Sequence, residues 1–370
     1  MKFSCTQENI NYALTIVGRI ANRTPNLPIL QNVLLEAKAG GIVIASTNLE
    51  IGVRMTIRGK VEQEGKFTIP AQLLANYINL LSAERIDCVL EKKNLHINAG
   101  SQQTQIKGEE ATEFPLLPDI EREHSYTINR VALELGLQQT VIAASVDETR
   151  PEIAGVLFSF QNNKLTLAAT DSYRLAEKKL DLEQAGDEHK IILPYRAAQE
   201  LLRIIQLTKI DHVAVLCSDT QLACIAGEIE FVSRLVEGVF PEYEQIIPSQ
   251  SSTEAELDCA TLLKAVKGAA LFSKVGINDI ELVISAAQQA MTVRSTNAQL
   301  GENSTVLPAQ VRGQDVRAVF NYRYVVDGIQ QVQRQTSTTV CCGVADSTSP
   351  GVLYAKKDPS FHYIIMPIKQ

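Results

Sequence analysis

The side chains that most often perform catalysis or bind metals are scattered along these 370 residues. The five histidines are far apart in the chain: His96, His124, His189, His212 and His362. Asp171 and Glu50 follow two predicted strands, but acid-base catalysis needs both groups in one cleft, and repeat symmetry explains them more simply. The sequence has no GxxxxGK[ST], GxSxG or HExxH motif. It predicts a protein that is not an enzyme and that needs neither a cofactor nor a metal.

Charge and cysteine content restrict the class of protein further. Lys and Arg number 35 against 42 Asp and Glu, a net charge of −7, whereas affinity for nucleic acid normally comes from basic residues. A protein that encloses DNA needs only a locally basic channel, so the acidic balance does not exclude that role. The seven cysteines lack CxxC spacing. Polar residues from Gln7 onward argue against a secretory signal, and we expect a cytoplasmic protein with reduced thiols.

The elements that must position any site come from a threefold repeat. In each copy an apolar strand, a turn and a second strand follow one another, and the second strand ends near Thr47, Thr170 or Thr296. An extended segment that opens a helix comes next, at Pro70, Pro194 and Asn321. Each copy also begins with an amphipathic helix. The pattern predicts an α+β fold of three domains, each with two helices packed on antiparallel sheets.

Proline-bearing segments divide the copies. Phe114-Pro115-Leu-Leu-Pro118 and Phe240-Pro241-Glu-Tyr243 have the composition of linkers. We therefore place the domains at residues 1–118, 119–248 and 249–370. Three units with free sheet edges can pair edge to edge and propagate an arc, and self-association would remove the last free edges.

Several motifs, in this order and spacing, resemble one family across the whole chain, the bacterial DNA polymerase III β subunit. They are Met1-Lys2-Phe3, Leu27-Pro28-Ile29-Leu30, Thr47-Asn48-Leu49-Glu50, Arg150-Pro151, Thr170-Asp171-Ser172-Tyr173-Arg174-Leu175, Phe240-Pro241-Glu-Tyr243, Val319-Phe-Asn321 and Met366-Pro367-Ile368. The resemblance implies a DNA sliding clamp: a head-to-tail homodimer of three clamp domains per chain, closed as a six-domain ring around double-stranded DNA without sequence preference.

The resemblance also implies surfaces for DNA and for the second copy. The candidate DNA-facing residues are Arg19, Arg23, Thr24, Arg150, Arg196, Arg203, Lys264 and Lys267. Taken one at a time, each could equally be an ordinary solvent-exposed residue of a helix face. Arg323 and Arg334 are further basic residues on the candidate inner helices. Thr24 stands where a well-known relative has arginine. Leu271 and Phe272 match an apolar pair at the family's dimer interface, while Thr104 makes the facing domain more polar.

A partner-peptide groove is implied between the second and third domains. Its residues by family match are Ile153, Thr170, Ser172, Tyr173, Arg174, Leu175, Pro241, Ile246, Ile277, Asn321, Tyr324, Thr348, Met366, Pro367 and Ile368. Such a groove buries apolar anchors of a linear peptide while a few polar groups fix its direction, and Arg174 could donate to peptide carbonyls. The implied partners are the polymerase catalytic subunit, the clamp loader and repair polymerases. Tyr173, Gln245 and the Lys369-Gln370 end depart from the family pattern.

The main alternative is a repeat scaffold that binds only proteins and never encircles DNA. Both readings share the three domains and the groove. They differ in whether the basic helix residues face DNA, which a test of retention on circular DNA separates.

Overall fold

A computed structural model describes residues 1–21, 27–115, 123–184, 186–248, 251–334 and 337–369. Each repeat has a strand and a helix, four or five further strands, a second helix and three final strands. The first contains β1 (Lys2–Thr6), α1 (Gln7–Ala21), β2 (Asn32–Lys38), β3 (Gly41–Thr47), β4 (Ile51–Ile57), β5 (Gly59–Gln63), β6 (Gly65–Pro70), α2 (Ala71–Leu80), β7 (Arg85–Glu91), β8 (Asn94–Ala99) and β9 (Gln102–Lys107).

The second and third repeats have the same order of elements. The second contains β10 (His124–Asn129), α3 (Arg130–Thr140), β11 (Gly155–Gln161), β12 (Lys164–Thr170), β13 (Arg174–Asp181), β14 (His189–Pro194), α4 (Tyr195–Leu207), β15 (His212–Cys217), β16 (Gln221–Ala226) and β17 (Ile229–Arg234). The third contains β18 (Thr253–Asp258), α5 (Cys259–Ala270), β19 (Asp279–Ser285), β20 (Ala290–Asn297), β21 (Gly301–Pro308), β22 (Gln310–Arg312), β23 (Val316–Asn321), α6 (Tyr322–Gln333), β24 (Thr339–Val344), β25 (Gly351–Ala355) and β26 (Asp358–Ile365).

The chain divides into two compact units, and the first comprises Met1–Arg130, Glu183–Gly186 and Glu200–Leu235. It contains a five-stranded sheet, β5-β1-β7-β8-β9, and an eight-stranded sheet, β10-β15-β16-β17-β4-β3-β2-β6. Apolar residues recur along α1 at helical spacing, and Ile10, Leu14 and Val17 are buried as that pattern predicts. The antiparallel pair β4 and β17 joins strands of the first and second repeats; we call this pair the first junction.

The second unit comprises Val131–Leu182, Asp187–Gln199 and Val236–Gln370. Its sheets have nine strands, β14-β11-β12-β13-β26-β25-β24-β18-β22, and four strands, β21-β20-β19-β23. The antiparallel pair β13 and β26 joins the second and third repeats, with Leu175 opposite Ile364; we call it the second junction. The predicted α+β fold, with two helices per repeat on antiparallel sheets, is confirmed.

Candidate partner-binding groove

A tight turn between β12 and β13 presents the centre of the predicted groove. The Asp171 side chain accepts hydrogen bonds from the backbone amides of Tyr173 (2.9 Å) and Arg174 (3.0 Å). The Thr170 hydroxyl accepts from the Ser172 amide (3.1 Å), and Ser172 has a positive φ of 78°. Asp favours such turns because its short side chain bonds the backbone two residues ahead. The turn leaves the Tyr173 side chain 64% exposed, available to a partner.

Arg174 is held firmly by carboxylates. Its Nε lies 2.9 Å from Oδ2 of Asp171, and its Nη1 lies 2.5 Å from Oδ2 of Asp327 on α6. The guanidinium also stacks on the Tyr324 ring, 4.6 Å from the centroid, and the side chain is only 14% exposed. Two of its three nitrogens are therefore committed to the protein, so Arg174 positions Tyr324 and the turn more than it offers free donors to a peptide.

Asp327 was missed by the sequence reasoning, although a signal was present. It lies three residues after Tyr324 on α6, and residues three apart share a helix face. A carboxylate beside a groove tyrosine, together with a groove arginine on another element, predicts their pairing. The hydroxyl of Tyr363, a buried residue of β26, lies 3.4 Å from the same Nη1.

The C-terminal segment completes one side of the site through backbone bonds. The Met366 amide donates to the Tyr173 carbonyl (2.9 Å), and the Ile368 amide donates to the Val319 carbonyl (2.8 Å). Met366 remains 38% exposed. An exposed thioether side chain can adapt to different apolar partners, which suits a site that accepts more than one peptide.

Leu175 forms the apolar floor. It is buried in a cluster with Phe240 and Tyr243 of the segment that follows β17, Val352 of β25 and Ile364 of β26. Beside this cluster, Pro241 and Ile246 are exposed. The predicted residues 170, 172–175, 324 and 366 are thus brought together by direct contacts or pairing. Pro367 and Ile368 follow Met366 in the chain, and Ile368 bonds Val319.

Four other predicted groove residues have different local roles. Ile153 is buried, and its carbonyl accepts from the Ser145 amide (3.1 Å). Asn321 caps α6 by accepting from the Arg323 amide (3.0 Å), as its position in the repeat predicts. Ile277 is 48% exposed, and the Thr348 amide and hydroxyl bind Asp346 at 2.7 and 2.8 Å. These contacts are local, so their part in the groove stays a prediction.

Most of the predicted DNA-facing residues that the structure describes are exposed on helices. Lys264 and Lys267 lie on α5 with exposed side chains. Arg19 on α1 is 55% exposed with Glu200 at 3.6 Å, and Arg196 on α4 is 65% exposed with Glu148 at 3.3 Å. Arg150 donates to the Ser172 hydroxyl (2.8 Å), so it lies beside the groove turn.

Arg203 differs from these exposed residues. Its side chain is 16% exposed and donates to Glu200 (2.8 Å) and to the carbonyls of Thr15 (3.1 Å) and Ile16 (2.8 Å) on α1. These bonds hold α4 against α1, so Arg203 has a structural role, and its contact with DNA stays a prediction. Arg23 and Thr24 lie outside the described residues.

The predicted dimer residues lie at the end of α5. Leu271 is 73% exposed, and the ring of Phe272 lies beside Gly301, the first residue of β21. Val275 (96%), Leu300 (61%) and Val306 (63%) are further exposed apolar residues of this domain.

The cysteines and the acidic and histidine side chains show no sign of reactive or metal-binding chemistry within the described residues. All seven cysteines are free and buried, and burial raises the pKa of Cys5 to about 12 and of Cys259 and Cys341 to about 11, so these thiols stay protonated. Within the described residues, no group of three or more His, Cys, Asp or Glu is placed to hold a metal ion. None of the helices in the described ranges is long and apolar enough to cross a membrane.

Comparison with known proteins agrees across the full chain. Models of the DNA polymerase III beta subunit match its N-terminal domain at residues 1–118, its central domain at 127–242 and its C-terminal domain at 244–369. The beta sliding clamp of Synechococcus elongatus is 30% identical over 100% of this chain and 99% of its own length.

Solved structures show the same fold. The DnaN sliding clamp of Pseudomonas aeruginosa bound to griselimycin superposes with a TM-score of 0.94 at 25% identity, covering 100% of both chains. The sliding clamp of Bacillus subtilis has a TM-score of 0.94 at 23% identity, covering 100% of this chain and 99% of its own. The chain therefore belongs to the DNA polymerase III beta subunit family, the sliding clamps, which are non-catalytic processivity factors of DNA polymerase.

Proposed function

We propose that two copies of this chain close head to tail around duplex DNA and tether polymerases and other partners through the groove at the second junction. The observation that supports closure is the pattern of free sheet edges. β17 and β26 are the last strands of the second and third repeats, and each pairs with a strand of the preceding repeat, β4 and β13. Two strands have no such partner within the described chain: β9, the last strand of the first repeat, and β21, the strand of the third repeat that corresponds to β4 and β13. Each lies at the edge of its sheet.

These two edges are complementary by quasi-symmetry. β9 is equivalent to β17 and β26, and β21 is equivalent to β4 and β13, so β9 of one copy and β21 of another can form a third junction. An unpaired edge strand is a template for such pairing. The exposed Leu271, with Phe272 beside Gly301 at the start of β21, supplies apolar area next to the edge. A heterologous interface used twice closes a two-fold ring.

In a closed ring the DNA is enclosed and needs to be bound only weakly. The exposed Arg19, Arg196, Lys264 and Lys267 occupy helices of all three repeats. Sparse positive charge attracts phosphates without base contacts, and weak contacts permit sliding. Retention then depends on closure of the ring, so a protein with net charge −7 can stay on DNA.

A topological test separates a clamp from a scaffold. The chain is loaded on nicked circular DNA by a clamp loader and then separated from free protein by gel filtration. We expect it to remain on the circle and to leave when a restriction enzyme linearises the DNA, because nothing then blocks the ends. Equal retention on both forms would show affinity without encirclement, and no retention on either would support the protein-binding scaffold.

A further inference from the structure

A cavity of about 310 Å³ lies on one face of the nine-stranded sheet, beside the segment that leads into the third repeat. Glu177 and Lys179 of β13 and Lys190 of β14 line it from the sheet. Phe240 and Tyr243 line it from the overlying segment, with ring centroids 5.8 Å apart. Pro241, which we assign to the groove, also lines this cavity, so the two sites adjoin.

Glu177 is the unusual residue of the cavity. Its side chain is 3% exposed, and its Oε2 accepts a hydrogen bond from the Tyr243 hydroxyl (2.8 Å). Burial, reinforced by the Glu177 carboxylate, raises the pKa of Tyr243, so this hydroxyl stays a donor. Oε1 lies 3.1 Å from Nζ of Lys179, yet it accepts no hydrogen bond from any residue that the structure describes. An ion pair without a hydrogen bond leaves this buried oxygen incompletely satisfied, so a ligand that donates to it in good geometry gains free energy.

The first junction shows which residue stands at the position equivalent to Glu177. Arg54 on β4 and Glu177 on β13 are equivalent in the repeat, since each lies opposite an alanine of the preceding strand, Ala45 or Ala168. Across the first junction Arg54 faces Glu230, and its Nε and Nη2 each donate to that carboxylate at 2.8 Å. The first junction thus contains a carboxylate and a guanidinium that satisfy each other.

The second junction has the carboxylate but lacks the guanidinium. The residue opposite Glu177 is His362, and its buried Nδ1 likewise has no hydrogen-bond partner in the described part of the chain. The charges around the cavity favour a cation, because Glu242 and Glu244 line it together with Glu177, against Lys179 and Lys190.

We propose that this cavity is a binding site for an arginine side chain of a partner protein whose peptide lies in the adjoining groove. The planar guanidinium can donate to Oε1 of Glu177 while it lies against the Phe240–Tyr243 pair, whose rings meet at 88°, whereas the compact ammonium of lysine acts only as a point charge. The claim that the arginine belongs to a groove-bound partner rests on the function proposed above. The claim that the cavity binds a guanidinium does not depend on that function.

The test uses the whole chain and a free probe, N-acetyl-arginine methylamide, with its neutral citrulline counterpart. Binding is followed by NMR in 3-fluorotyrosine-labelled protein, with the Tyr243 signal assigned from Tyr243→Phe. We expect a saturable shift with the arginine probe and at least tenfold weaker binding of citrulline. Glu177→Gln should weaken arginine binding at least tenfold, whereas Glu244→Gln, which removes an exposed charge of the same cavity but no direct contact with the probe, should weaken it only about two- to threefold.

A second variant gives a gain that misfolding cannot produce. Lys179→Met removes the half-exposed ammonium that competes for Glu177, so the arginine probe should bind severalfold more tightly. Equal binding of both probes, equal losses in Glu177→Gln and Glu244→Gln, or no gain in Lys179→Met would each overturn the proposal. Removal of Met366 through Gln370 should leave probe binding intact. Groove-peptide binding without probe binding would refute the arginine site alone, and the opposite result would refute the groove alone.

Discussion

The first and second junctions have one backbone design and two different chemistries. Asn48 accepts from the Ile51 amide (2.7 Å) as Asp171 accepts from the Arg174 amide (3.0 Å). Leu49, with φ 75°, matches Ser172, with φ 78°. The same turn therefore ends in a buried Ile51 at the first junction and in a charged Arg174 at the second.

The side chains around the two turns also differ, and they too suit the first junction to structure and the second to binding. Across the first junction the Arg54–Glu230 pair is closed and self-sufficient. At the second, Leu175 replaces the equivalent Gly52, and an apolar floor lies beside the exposed Tyr173 and Met366. Repetition fixed the backbone, and substitution at equivalent positions made one junction a structural joint and the other a binding surface.

The largest effect is expected when Arg174 of the second junction is replaced by isoleucine, the residue at the equivalent position, Ile51, of the first. Arg174→Ile leaves Asp327 and Asp171 without their guanidinium, and we expect a loss of about 2–3 kcal/mol in the free energy of unfolding, because removal of one partner strands a partly buried charge. Urea denaturation measures it. Asp327→Asn in the Arg174→Ile background should recover part of the loss, and an additive double variant would contradict the pairing.

Removal of Met366 through Gln370 tests whether binding belongs to the second junction. We expect roughly thirtyfold weaker binding of a polymerase-derived peptide, about 2 kcal/mol, because the Met366 side chain and its backbone bond to Tyr173 are lost. Fluorescence anisotropy gives the affinity, and the Tm should change little. Glu50→Ala, at the first-junction position equivalent to Tyr173, is the matched control and should leave peptide affinity unchanged.

The two cross-junction charges should differ in their contribution to stability. Arg54→Met breaks a bidentate pair that is 35% and 22% exposed, and we expect a loss of about 1–2 kcal/mol. Glu177→Gln should cost less than about 1 kcal/mol, since the amide oxygen still accepts from Tyr243 and no bidentate partner is lost. Parallel urea titrations compare them. A larger loss in Glu177→Gln than in Arg54→Met would reverse the proposed division of roles.

The smallest effect concerns pH. Burial lowers the pKa of His362 below its usual 6.5, with Glu177 and Asp358 opposing the shift and Lys179 adding to it. The unfolded chain then binds a proton that the folded chain resists, so stability is lost as pH falls through 6.5. His362→Gln should flatten the dependence of the unfolding free energy between pH 7 and 5. An unchanged slope would show that His362 does not contribute.

Sequence and structure agree most closely where the repeat is regular. Pro70, Pro194 and Asn321 each precede a helix as predicted, because fixed φ or a capping side chain acts locally. Among site residues, the turn at 170–174 was predictable from Thr-Asp-Ser. The bonding of Arg203 to α1 was not, because it joins residues 187 positions apart.

The sequence by itself determined the threefold repeat, the two helices per domain, the family and the lack of catalytic motifs, because periodicity and turn chemistry are local properties of the chain. Tertiary structure alone decided which charges meet. It paired Arg54 with Glu230, and it left Oε1 of Glu177 beside the Lys179 ammonium but without a hydrogen bond from any described residue. Register across a junction brings distant strands into contact, and no local pattern encodes which side chains will then face each other.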